Sequence, residues 1–228
     1  MAIKSPRTTA SLVIRVFITC KLSMTYYNFT TNSRTFYMKI LRFVGAFLIG
    51  LGAIYAAICF IAPSDMNVSA SQRLKGTAQT FRMGVTDFNH WQVWSPWRHD
   101  TTATYTYKGK PHSSGHAMLW EGEDLGEGSQ IIQQFGCDSV VMLLDFGMEM
   151  SHTSYWYFTE VDELYTDVMW TYNGGQLPFW NRGFFWLLGA KDMIESDYQE
   201  GFKDLEQWVA SSPELELDPC EIAHQLGL

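Results

Sequence analysis

The chain has 228 residues, 46% of them hydrophobic and 15% aromatic. That is enough apolar material for one domain with a sizeable core, and too much for disorder. Charge is unevenly spread: residues 1–62 hold seven of the 16 Lys/Arg and no acid, whereas 63–228 hold nine basic residues against all 24 acids, a formal charge of −15. So acidic a domain lacks the clustered Lys/Arg that phosphate binding needs, which argues against nucleic acid as a partner.

In chain order, residues 1–37 are rich in Ser, Thr and Asn, with one short apolar run, LVIRVFI at 12–18. They read as a poorly ordered extension, or as sequence upstream of the true start, because Met38 and Lys39 lead straight into an apolar stretch. Residues 43–62 (FVGAFLIGLGAIYAAICFIA) carry no charge over twenty positions. At 1.5 Å per residue these span about 30 Å, the thickness of a bilayer core. The expectation is a transmembrane anchor over 38–63, stopped by Pro63. Lys39 and Arg42 precede the run and Asp65 follows it, so the positive-inside rule leaves the N-terminus in the cytoplasm. The domain after the anchor then lies on the periplasmic or extracellular side.

Residues 67–74 (NVSASQRL) read as a strand. TAQTFRMGVTDF and NHWQVWSPW follow as two short helical or irregular pieces. Runs at 103–109, 115–122, 128–135, 139–147, 152–161 and 165–172 alternate or are β-branched, and Gly, Lys, Asp and Asn-Gly-Gly separate them. This spacing predicts an antiparallel meander. From about 181 to 209 the period becomes helical: Ile194, Tyr198, Phe202, Leu205 and Val209 step by four, four, three and four along one stripe. A long amphipathic helix must bury that stripe, and the sheet is the only surface large enough. The fold class is therefore α+β over 64–212, with 213–228 as a tail beyond Pro213.

Specific residues carry a resemblance. Leu74 with Gly76-Thr77 stands in the place of an I-x-A-P motif. Asp87-Phe88, Trp91 and WSPW at 94–97 follow a D-x-x-x-W-x-x-W-S-P-W pattern. GHAMLWEG (115–122), GEGSQII (126–132), TDVMW (166–170) and YQEGFKDLEQW (198–208) complete the series. In order and spacing they resemble SRPBCC (START-like) proteins of the polyketide cyclase/dehydrase-like group, over about residues 66–210. The resemblance implies a helix-grip fold: a curved antiparallel sheet of about seven strands around a long C-terminal helix, with two small helices after the first strand. It also fits a preceding single membrane anchor. The chain departs from the pattern at Gly76-Thr77 (Ala-Pro), Arg82 (an aromatic) and Gly201-Phe202 (Gly-Leu). In this reading Trp94 and Trp97 pack the small helices on the sheet and Pro96 fixes the turn.

Strand alternation assigns the side chains that face the helix. They are His116, Met118 and Trp120; Gln130, Ile132 and Gln134; Val140, Met142, Leu144 and Phe146; His152, Ser154, Trp156 and Phe158; and Val168, Trp170 and Tyr172. With Tyr198 and Phe202 from the helix they would line a cavity between helix and sheet. Such a lining suits a hydrophobic small molecule or lipid held by one or two hydrogen bonds. His116 and His152 are the candidate general bases, but no partner for either can be assigned, and each also reads as a hydrogen-bonded core or rim histidine. Metal and cofactor sites are not expected. The cysteines lack paired spacing, Ser113-Ser114-Gly115 breaks any His112–His116 helix pair, and the acids at 121–127 lack calcium-loop spacing. Cys137 and Cys220 either pair or stay separate thiols. Three functions follow: a membrane-anchored binder of an apolar ligand, a cyclase, dehydratase or hydrolase using the same cavity, or a ligand-free interaction module in the cell envelope.

Overall fold

The structure, a computed structural model, describes residues 36–147 and 151–212. The expectations for residues 1–35, for the 213–228 tail and for Cys220 lie outside the described residues. Cys137 is disulfide-bonded. The chain divides into two compact units, Met1–Ile58 and Cys59–Leu228.

Helix α1 runs from Phe36 to Ile61, 26 residues, and is long and apolar enough to cross a membrane. Its side chains are largely exposed, Phe43, Ile49 and Leu48 among them.

The second unit is built on one seven-stranded antiparallel sheet in the order β1-β7-β6-β5-β4-β3-β2. The strands are β1 (Asp65–Lys75), β2 (Thr104–Lys108), β3 (Ala117–Gly122), β4 (Gly126–Phe135), β5 (Ser139–Asp145), β6 (Ser151–Glu160) and β7 (Tyr165–Gln176). Between β1 and β2 lie α2 (Ala78–Thr86), α3 (Trp91–Trp94) and two 3₁₀ turns, Phe88–His90 and Pro96–His99. Thr77 caps α2 by accepting from the Thr80 amide at 3.3 Å. After β7 come α4 (Phe179–Leu187) and α5 (Ala190–Ser211). This is the helix-grip arrangement that the sequence motifs imply.

Two boundaries differ from the sequence reading. The helical period from 181 onward predicts one helix, but the chain makes two. Gly189 adopts φ 62° and ψ 30°, a left-handed conformation that breaks the ladder between α4 and α5. The Asn173-Gly174-Gly175 signal predicts the end of the last strand at 172, yet β7 continues to Gln176. A register shift between Asp65 and Asn67 on β1 absorbs the irregularity, so that Asp65 pairs with Gln176.

The α5 stripe lies directly on the sheet. Phe202 and Leu205 are fully buried and Tyr198 is nearly so. Tyr198 stacks on Trp170 with ring centroids 3.9 Å apart at 8°, and Trp170 stacks on Trp156 across the β6–β7 pair at 4.2 Å. The Trp170 indole N–H donates to Ser154 Oγ (3.0 Å), and that hydroxyl donates to the Thr171 carbonyl (2.8 Å). Phe81, Phe88 and Trp94, from the segment between β1 and β2, fill the remaining core. Burying each such side chain contributes about 1.5–3 kcal/mol.

Candidate functional site

The void lies away from the α5 stripe. A cavity of about 130 Å³ sits between the α3–3₁₀ segment (Trp91, Gln92, Ser95, Trp97, Arg98) and strands β2 to β5 (Tyr105, Met118, Trp120, Gln130, Leu144), with Leu125 and Phe146 at its border. The residues of WSPW thus divide. Trp94 is fully buried in the core, while Ser95 and Trp97 reach the cavity and Pro96 holds the turn. Trp97 is fixed by donating its indole N–H to Asp197 Oδ2 at 3.2 Å and by edge contact with Trp170.

Of the residues assigned by alternation, Met118, Trp120, Gln130, Leu144 and Phe146 line this cavity. Ile132, Met142, Trp156, Phe158, Trp170, Tyr198 and Phe202 face the same side but are packed core, each at most 3% exposed. Helix α5 sits so close to the sheet that its stripe and the Trp156–Trp170 pair leave no room between them. Gln134 is a correction of parity: it is exposed, and Phe135 instead packs against the core. A β-bulge between Ile132 and Gln134 inserts one residue and inverts the alternation beyond it.

The two histidines part company as well. His116 is 1% exposed and stacks on Phe88. Its Nε2 accepts from the Phe88 amide (3.1 Å), so Nδ1 carries the hydrogen and donates to the Lys108 carbonyl (3.0 Å). Both ring nitrogens are spent on backbone groups, which makes His116, the residue before β3, a structural tie between the end of β2 and the segment after α2. His152 is half-buried at the sheet end, against Tyr172 and Phe146. Burial pulls its pKa down, opposed by the Asp145 charge. It stands outside the cavity wall. His112 bonds to Thr86 Oγ1 through Nδ1. Among the described residues no group of three or more His, Cys, Asp or Glu could hold a metal ion.

The polar groups of the cavity are few and mostly committed. Arg98 pairs with Asp204 at 2.6 Å and donates to the Ser95 carbonyl at 2.9 Å, so its charge is balanced outside the void. Gln92 Nε2 lies 3.9 Å from Met118 Sδ. Burial raises the pKa of the Tyr105 and Tyr107 hydroxyls, and a hydrogen bond with Gln92 offsets part of this in each. Gln130 is the exception. It is 3% exposed, and its Nε2 has no hydrogen-bond partner. An unmatched buried amide donor costs about 1–3 kcal/mol.

Two further devices shape the border. Trp120 lies over Gly128, its partner across the β3–β4 pair. A Cβ on that glycine would come within 2.3 Å of the indole and 2.7 Å of the Asp145 carbonyl, so only glycine lets the ring lie flat there. Asp100 ties down the β3–β4 turn. Its Oδ1 accepts from the Thr102 hydroxyl (2.6 Å) and amide (2.9 Å), and its Oδ2 from the amides of Asp124 (3.1 Å) and Leu125 (3.0 Å). These bonds, the Thr102 hydroxyl first and the Leu125 amide next, hold its carboxyl down to about 2. Alternation does not assign Trp91, Gln92, Ser95, Trp97, Arg98, Tyr105 or Leu125 to the cavity, although all of them line it. The alternation in ATYTYKG marks Tyr105, and Arg98 and Asp100 stand out in sequence as polar neighbours of the tryptophans; nothing local marks Gln92 or Leu125.

No family model matches the sequence, and no curated protein matches it. Solved structures do. A protein from Thermobifida fusca is 18% identical with a TM-score of 0.48, over 67% of this chain and 97% of that one. A protein from Mesorhizobium loti is 10% identical with a TM-score of 0.48, over 65% and 99%. DynU16, from the dynemicin biosynthetic locus, is 12% identical with a TM-score of 0.47, over 64% of this chain; the chain spans about half of DynU16, 48% of its length.

Proposed function

We propose that this chain is a membrane-anchored binding protein whose cavity between the α3 segment and strands β2–β5 takes a small, neutral, largely apolar molecule. The observation that carries this reading is Gln130: a buried amide with an unused donor on the wall of an otherwise aromatic and aliphatic void. A ligand carbonyl, ether or hydroxyl oxygen would accept from it. At about 130 Å³ the space compares with an engineered cavity of about 150 Å³ that holds benzene. It suits one ring or a short alkyl segment, and a longer ligand such as a lipid would keep the rest outside. Charge in the void would be costly without a partner, and Arg98 already has one.

Met118→Trp tests this by filling the void from its wall. Small molecules extracted from the purified full-length chain would be compared by mass spectrometry with those from the variant. The expected result is a neutral compound retained by the parent and absent from a variant that still folds. An identical extract from both would sink the proposal.

The anchor belongs to the same reading: residues 38–63 hold 64–212 at a membrane, with the N-terminus cytoplasmic. Its support is the apolar helix α1, behind Lys39 and Arg42. A phosphatase active only outside the cytoplasm, fused after Leu228, should be active. Inactivity would reverse the orientation.

A further inference from the structure

The segment after β7 does not look like the rest of the domain. Helix α4 reads FWNRGFFWL, and its only buried residue is Gly183. Trp180, Phe184, Leu187 and Leu188 step by four, three and one along one face and are each 55–61% exposed. Trp186 is 48% exposed, and Met193, on the first turn of α5, is 60% exposed. An exposed apolar surface of this size calls for an occupant.

Three observations identify it. The first is position. The Leu177 amide donates to the Ser64 carbonyl at 2.9 Å, immediately before α4. Ser64 follows the last residue of α1, Ile61, by three residues, at most about 10 Å of extended chain. The Cys59 thiol lies 3.7 Å from the Trp180 carbonyl, so α4 touches the last turn of the apolar run itself. The second is composition. Tryptophan and phenylalanine with Arg182 among them and Lys191 just beyond are the residues of a bilayer–water interface. The third is charge. No acid occurs between Asp167 and Asp192, although acids outnumber bases 24 to nine in residues 63–228. A stretch freed of acids within so acidic a domain can approach a lipid surface without repulsion.

We infer that α4 is an interfacial helix: it lies in the headgroup region of the same bilayer that α1 spans and gives the domain a second contact with it. This rests on the reading of α1 as a transmembrane anchor. A single flexible attachment would let the domain tumble, and the second contact fixes which face of it meets the lipid.

The test uses the full chain in phosphatidylcholine vesicles carrying a lipid with a photoactivatable group near its headgroup, with cross-linked peptides mapped by mass spectrometry. Cross-links are expected in α1 and in residues 179–188. Changing Phe184 and Leu188 to Glu should abolish the second set and keep the first, with the circular dichroism of the domain unchanged because both side chains are already exposed. Cross-links in α1 alone for the parent chain would overturn the interfacial helix and leave the anchor standing. Cross-links in neither would overturn both. Coupling of 179–188 to a second protein chain instead of lipid would also overturn the inference.

Discussion

Gln130→Met should raise stability and weaken binding together. Methionine matches glutamine closely in length and volume, so the change opens no cavity and removes only the terminal amide. That amide is 3% exposed and its Nε2 is unpaired. Deleting a buried unmatched donor should return about 1–3 kcal/mol to the ligand-free protein. For a domain of this size that is about 2–4 °C in Tm for each kcal/mol. Any ligand that accepts from Nε2 loses one hydrogen bond, worth roughly a three- to tenfold rise in Kd. Differential scanning calorimetry of the full chain in lipid nanodiscs, stripped of ligand, reads the first effect. Titration with the compound recovered from the parent protein reads the second. A ligand-free variant that melts lower than the parent by more than about 1 kcal/mol would show that the amide already has a partner, and the case for the cavity would fall with it.

Phe202→Ala should cost about 3–5 kcal/mol, since the ring is wholly buried edge-on to Trp156 and Trp170. Lys203→Ala, on the exposed side of α5, should stay within about 0.5 kcal/mol; equal melting of the two variants would contradict the grip of α5 on the sheet. The Asp100 carboxyl titrates lower in the folded chain than in the unfolded one. Its hold on the β3–β4 turn is therefore complete above about pH 4 and lost as pH falls toward about 2. Amide hydrogen exchange at Leu125 should accelerate across that window once the intrinsic pH dependence is removed, and Asp100→Asn should be fast at every pH. Unchanged protection of Leu125 in the Asn variant would deny Asp100 this role.

Much of the fold could be read in advance because its determinants are local and periodic. The alternation in TDVMW places Val168 and Trp170 on the buried side, and the four-and-three spacing from Ile194 to Val209 places Tyr198 against them. The errors arise where one residue changes a phase. The bulge at Ile132/Gln134 shifts register without a glycine or proline at that point, so alternation carried on through Gln134 and put it inside. Gly189 lies within a helical period that reads through it, and only its left-handed backbone shows the break. The cavity was harder to place. Periodicity reports which side chains face inward and not how closely the facing layer approaches them. Trp156 and Trp120 share a face, yet one meets α5 at full contact and the other borders a void.

The stacked rings of Trp156, Trp170 and Tyr198 have an optical consequence. Two indoles held 4.2 Å apart at a fixed 24° couple their electronic transitions, and the coupled pair absorbs left- and right-circularly polarised light unequally in a way that isolated indoles do not. The phenol of Tyr198, 3.9 Å from Trp170, passes its excitation to the indole before it can emit. The first signal reports the β6–β7 pairing, because both indoles stand on those strands; the second reports α5, because only Tyr198 is carried by that helix. Trp91, Trp97 and Trp120 border the cavity. Trp97 stands 5.5 Å from Trp170 and Trp91 6.0 Å from it, so the cavity rings and the stacked rings form one connected array, and what enters the void is read by the same chromophores that report the grip.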